Sequence, residues 1–118
     1  MKMILALAVL LMPAAAFAET FVGVGMVLQG KETKTYVQEL IPNAPAARDG
    51  RIQAGDEIVS VNTVVREGAT WTPVEGLGLE EVVGMIRGEE GTKVGLHLVG
   101  PSGQYEVELA RETIDIPE

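Results

Sequence analysis

The chain has 118 residues and no cysteine, which excludes a disulfide scaffold and any thiolate metal site. Acidic side chains outnumber basic ones 17 to 9, a net charge of −8, so the surface repels nucleic acid and anionic lipid. Hydrophobic residues make up 47% of the sequence, enough to fill one core in a single domain.

Residues 1–18 read as a secretory leader. Lys2 supplies the positive start, residues 3–12 the apolar stretch, and Ala16-Phe17-Ala18 a small-x-small cleavage site. The apolar run ends short of the roughly 20 residues that cross a bilayer, and Pro13 interrupts it. Residues 19–118 are then one secreted domain, expected in a bacterial periplasm with no membrane span after cleavage.

The phrase Phe21-Val-Gly-Val-Gly-Met-Val-Leu28 follows closely. Two glycines around Val24 predict a turn whose N–H groups point outward and hold an anion, and a strand over 26–28 that leaves with an unpaired edge. A dinucleotide fingerprint does not fit, because Leu28 stands where a third glycine is needed and no strand is expected before the turn. Residues 29–34 read as a polar connection, and 35–41 (Thr-Tyr-Val-Gln-Glu-Leu-Ile) as a second strand. Pro45 opens a short helix through Arg48, closed by Gly50. Gly55-Asp56 turns into a strand over 57–61.

Residues 62–78, with Trp71, Pro73 and Gly76, read as a long connection packed back on the body. The clearest helix is 79–87, with Glu80 and Glu81 in its first turn, Arg87 in its last and Gly88 as C-cap. Leu79, Val83 and Ile86 fall on one stripe of it, while Val82 and Met85 face the core. Segments 92–99 and 104–109 alternate apolar and polar residues around Gly100-Pro-Ser-Gly103, a hairpin. The order describes a small α+β domain dominated by antiparallel strands.

Taken singly, these signals stay open. Gly23-Val24-Gly25 also suits an ordinary turn, and the 79–86 stripe suits a core face as well as a groove. His97 has no metal-type residues near it in sequence and reads as structural; Trp71 reads as packing. Ser60 sits in an expected strand and Ser102 in a turn, and none of the four lysines has a context for a Ser–Lys dyad. No catalytic residue, metal site or cofactor is expected.

Pro45-Ala-Ala-Arg-Asp-Gly-Arg-Ile-Gln-Ala-Gly-Asp-Glu-Ile-Val-Ser-Val-Asn62 resembles the central signature of PDZ domains, and Leu79-Glu-Glu-Val-Val-Gly-Met-Ile-Arg-Gly-Glu-Glu-Gly-Thr-Lys-Val94 resembles their groove helix and next strand. Trp71-Thr-Pro-Val-Glu-Gly76, the opening Phe-x-Gly-x-Gly turn and the closing Arg111-Glu-Thr-Ile114 are similar to the PDZ domains of carboxyl-terminal processing (tail-specific) proteases. The resemblance spans about residues 21–114. It departs at Thr63, where the family often has glycine, and no stretch resembles the family's protease domain.

The resemblance implies a PDZ-like, partly open antiparallel β-barrel or sandwich of five to six strands with two helices and a closing C-terminal strand. It also implies a non-catalytic module that takes apolar C-terminal tails of partner proteins by β-strand addition. The implied peptide-binding residues are Phe21, Gly23, Val24, Gly25, Met26, Val27 and Leu28 on one side, and Leu79, Val83, Ile86 and Arg87 on the other. The alternatives are a regulatory fragment or subunit of a tail-specific serine protease, acting with an envelope protease partner, and a structural domain docked permanently in a larger complex. If cleavage follows Ala18, the new amino group of Glu19 would lie four residues before Gly23, where it could serve as the cation beside a bound carboxylate.

Overall fold

The computed structural model describes residues 20–66, 68 and 70–116. The expected leader and Glu19 lie outside the described residues, so neither the cleavage site nor the role given to its amino group is placed by the fold.

β1 (Thr20–Gly23) and β8 (Glu112–Asp115) pair antiparallel as a two-stranded sheet, with Thr20 opposite Asp115 and Phe21 opposite Ile114. The main sheet is antiparallel. It runs in the order β2 (Met26–Lys31), β3 (Lys34–Leu40), β4 (Glu57–Asn62), β6 (Lys93–Gly100), β7 (Gly103–Ala110), with the two-residue β5 (Thr72–Pro73) added to β4. The α+β architecture with two helices and an antiparallel sheet of six strands is as the resemblance implied, but the C-terminal strand β8 pairs with β1 and does not close the main sheet.

Alternation fixes which face is buried. In β6, Val94, Leu96 and Leu98 point inward, and their register partners in β7 are Leu109, Val107 and Tyr105. The period of two puts Lys93, Gly95 and His97 on the opposite face. The core joins these residues to Val24, Val37, Ile58 and Val61, and α2 (Leu79–Ile86) closes it with Val82 and Ile86. Each such side chain contributes about 1.5–3 kcal/mol by leaving water.

α1 (Pro45–Asp49) is built as its residues demand. Pro45 takes the first turn, and Gly50 ends the helix at φ 87°, the left-handed region that glycine enters without penalty. The turn at Gly55-Asp56 is tied to β3 from both sides: the Val37 N–H donates to the Asp56 carbonyl at 2.8 Å, and the Gly55 N–H to the Val37 carbonyl at 2.7 Å.

Several expectations are corrected. Residues 29–34 are no loose connection, for β2 and β3 run to Lys31 and Lys34 around the two-residue turn Glu32-Thr33. Their polarity reflects an exposed hairpin, not a loop. A strand does precede the glycine turn, namely β1, but β2 and not a helix follows it, so the dinucleotide pattern still fails. The 62–78 connection contains β5. Gly88 is not the helix C-cap. Arg87 occupies that position in an extended conformation, and glycine is needed at 88 because a Cβ there would fall 2.7 Å from Nε of Arg111.

Candidate functional site

Between β2 and α2 lies a cleft of about 200 Å³. One wall starts at Phe21 and Gly23, passes through Val24 and Gly25, and continues along Met26, Val27 and Leu28. The opposite wall is Val83, Ile86 and Arg87. Ten of the eleven residues named from the sequence therefore line one cavity. Leu79 does not: it begins α2 with 39% of its surface exposed, outside the cleft lining. Ile86 serves two faces, being only 4% exposed and part of the core as well as the cleft.

The architecture explains the open wall. Among the described residues β2 is hydrogen-bonded only to β3, so its second edge has no described strand beside it and α2 stands across the cleft instead. Backbone groups on such an edge can accept another chain.

At the head of the cleft, Val24 and Gly25 alone link β1 to β2, since Gly23 belongs to β1 and pairs with Glu112. The carbonyls of the link turn inward. Val24 O accepts the Ala46 N–H of α1 at 2.9 Å, and Gly25 O accepts the Ile41 N–H at 2.9 Å. Among the described residues no backbone acceptor takes the Val24 or Gly25 N–H. The glycines have separate reasons. Gly25 has φ 83°, and a Cβ on it would fall 2.2 Å from Ala44 Cβ. Gly23 instead leaves room for the Phe21 ring and the Arg87 stem, 3.0 and 3.4 Å from where its Cβ would be.

Arg87 is the charged member of the lining. Its guanidinium carbon lies 4.2 Å from the Phe21 ring centroid, a cation–π stack. The sequence ordered these two residues into one site but gave no sign that they touch.

Away from the cleft, Trp71 lies over Gly95 and meets His97 edge-on, with centroids 6.1 Å apart at 64°. Both residues serve packing there. Ser60, His97 and Glu106 form one cross-strand row on the outer sheet face, yet Ser60 is buried and no hydrogen bond joins the three side chains among the described residues. No group of three metal-type side chains gathers among the described residues, and no described helix is long and apolar enough to cross a membrane.

The profile of the PDZ domain matches residues 17–99. This chain belongs to the PDZ domain family. The tail-specific protease of Haemophilus influenzae is 31% identical over 98 residues, which cover 81% of this chain and 14% of that protein. The carboxy-terminal processing protease CtpA of Bacillus subtilis is 32% identical over 108 residues, 87% of this chain and 21% of that protein. The chain thus spans about a fifth or less of these relatives. Among solved structures, the PDZ domain of the carboxy-terminal protease from Vibrio cholerae, in complex with peptide, matches with a TM-score of 0.74 at 31% identity. That match covers 83% of this chain and all of the other. The photosystem II D1 C-terminal processing protease matches with a TM-score of 0.68 at 27% identity, covering 90% of this chain and 26% of that one. A PDZ domain is a non-catalytic module, and this one is homologous to those of tail-specific and CtpA proteases.

Proposed function

We propose that this PDZ domain captures the C-terminal tails of partner polypeptides, which enter the cleft as an extra antiparallel strand on β2. The observation that carries the reading is the conjunction at one place of an unpaired strand edge, an aliphatic opposite wall and a link whose carbonyls are turned away from the cleft. The tail's carboxylate would meet the Val24 and Gly25 N–H groups, and charge-assisted bonds of that kind are worth about 1.5–3 kcal/mol each. Val83 and Ile86 favour apolar side chains near the tail's end, because a polar one would lose its water there without gaining a partner. The Vibrio relative, solved with peptide, supports a peptide ligand.

The chain acts by binding, and its leader-like residues 1–18 support action outside the cytoplasm. The direct test is titration of a labelled peptide ending in leucine, as free acid and as amide. Saturable binding of the acid and at least about tenfold weaker binding of the amide is the expected result. Equal binding of both would remove the carboxylate from the account.

The named relatives are proteases several times longer than this chain, which favours one second reading: a regulatory piece of a tail-specific protease. Mixing the domain with such a protease and measuring tail cleavage separates the two. Altered cleavage supports the regulatory role, and unchanged cleavage supports an independent binding module.

A further inference from the structure

The free edge of β2 does not stop where the cleft lining ends. It continues past Leu28 through Gln29 and Gly30 to Lys31, which stands directly opposite Lys34 of β3 at the hairpin turn. We propose that this lysine pair is a second, electrostatic subsite for the bound chain, and that the preferred ligand is a tail with an acidic side chain five residues before its last. The inference rests on the tail-binding reading above and extends it to a part of the ligand outside the cleft.

Like charges in direct cross-strand register repel, so folding alone does not favour two lysines there. The pair holds two of the four lysines in a chain of net charge −8. Both side chains are exposed, and among the described residues neither lies within ion-pair distance of a carboxylate. Arg48 and Arg51 differ, being paired with Glu112 and Asp49. The turn that carries the lysines is also held in place. The Thr33 hydroxyl donates to Glu75 Oε2 at 3.2 Å, and the Gly76 N–H donates to the Thr33 carbonyl at 2.8 Å. These bonds tie the turn to the segment just before α2, at the end of the groove opposite the Val24-Gly25 link.

β2 sets the position along the ligand. In the proposed pose the terminal carboxylate is held at the link and the last residue stands opposite Met26. An added antiparallel strand advances one residue for each residue of β2, so its fifth residue before the last reaches Lys31. The shift in β2–β3 pairing falls on β3, where Gln38 is the extra residue, and the count along β2 is unbroken. Met26 and Leu28 pack against the core, so alternation puts Lys31 on the opposite face. Residues directly opposite one another share a face, which brings the ligand's fifth side chain beside Lys31 and turns its fourth away. An exposed pair of this kind is screened by salt and changes affinity only severalfold, so it selects among tails and does not decide whether they bind.

The test uses acetylated eight-residue peptides ending in leucine with a free carboxyl group. They carry glutamate, alanine or lysine at the fifth position before the last, or glutamate at the fourth, and are titrated into the full domain and its K31Q/K34Q double variant. Wild type should bind the glutamate peptide about three- to fivefold more tightly than the alanine peptide, and the lysine peptide more weakly than either. Glutamate at the fourth position should lose most of that gain. In K31Q/K34Q the three peptides should converge to within about 1.5-fold, with alanine-peptide affinity unchanged and no fall in melting temperature. The glutamate advantage should shrink with added salt. An equal gain from glutamate at either position reduces the effect to general charge attraction and overturns the proposal. A gain that persists in K31Q/K34Q, or equal wild-type affinity for all peptides, overturns it as well. Wild-type binding of none of them overturns the tail-binding reading itself, and this inference with it.

Discussion

Gly25 and Ala44 pack so closely that a Cβ on the glycine would sit 2.2 Å from the alanine Cβ. The link at the head of the cleft is thus pressed against the start of α1, and the Ala46 N–H to Val24 carbonyl bond fastens the two. Gly25→Ala faces both that overlap and a φ of 83°. It should cost about 3 kcal/mol or more of stability by chemical denaturation and abolish peptide binding. Gly23→Ala meets the edge of the Phe21 ring, which can turn aside, and the flexible Arg87 stem at ordinary contact distance, so it should cost about 1 kcal/mol or less. Equal losses at the two positions would refute the separation of their roles.

Val83 is the first α2 residue of the aliphatic wall, half-buried and facing the cleft. Val83→Asp puts a carboxylate where, in the proposed reading, the tail's apolar side chains would lie. Peptide affinity should fall by at least about a hundredfold in the same titration, with the melting temperature within about 5 °C of wild type.

Arg111 holds the lower end of α2. It is 2% exposed, and its guanidinium donates to the carbonyls of Ile86 at 2.8 Å, Thr63 at 2.6 Å, Met85 at 3.2 Å and Lys93 at 3.3 Å, and to Thr92 Oγ1 at 3.0 Å. Burial pushes its pKa below the ordinary arginine value. The last carbonyls of a helix lack intrahelical donors, so this one side chain satisfies groups that would otherwise be stranded. Arg111→Met should destabilise the domain by about 3 kcal/mol or more, and Arg111→Lys should recover little because an ammonium cannot span the same acceptors. Chemical denaturation of the two variants checks this; full recovery by lysine would show that charge alone matters.

Tyr105 donates its hydroxyl to the buried carboxylate of Asp56, which also accepts the Gln53 N–H at 3.2 Å. Burial first, and then this bond, raise the phenol above its ordinary value near 10. The stabilisation is therefore complete below about pH 10 and fades as pH climbs toward the raised folded value. Tyr105→Phe should cost about 1–2 kcal/mol at pH 7, and its deficit against wild type should shrink above about pH 10. A deficit that stays constant through pH 11 would contradict the assignment.

The sequence shows the locally encoded parts of this fold and hides those set by distant partners. α1, the Gly55-Asp56 turn, α2 and the β6–β7 hairpin each carry their own start and period, and all are found within about a residue of the expected bounds, α2 ending at Ile86 with Arg87 and not Gly88 as its cap. β1, β5 and β8 have at most four residues and owe their strand form to partners elsewhere in the chain, Phe21 to Ile114 and Pro73 to Ser60 among them. Gly88 looked like a cap because the buried guanidinium that requires it lies far along the sequence. In the cleft, the resemblance to PDZ domains supplied the residues and helical spacing supplied one wall. The exposure of Leu79, the double use of Ile86 and the contact of Arg87 with Phe21 depend on how α2 is set against β1 and β2. No periodicity encodes that.

The pairing of Thr20 with Asp115 has a mechanical consequence. Polypeptide attached before β1 and after β8 would leave the domain side by side, so tension between the two attachments would open that short ladder pair by pair, like a zipper. Phe21 and Ile114 would separate while the larger sheet remained whole, and the arginine would lose its aromatic support. A module hung this way would lose the Phe21 end of its cleft under load before its core came apart.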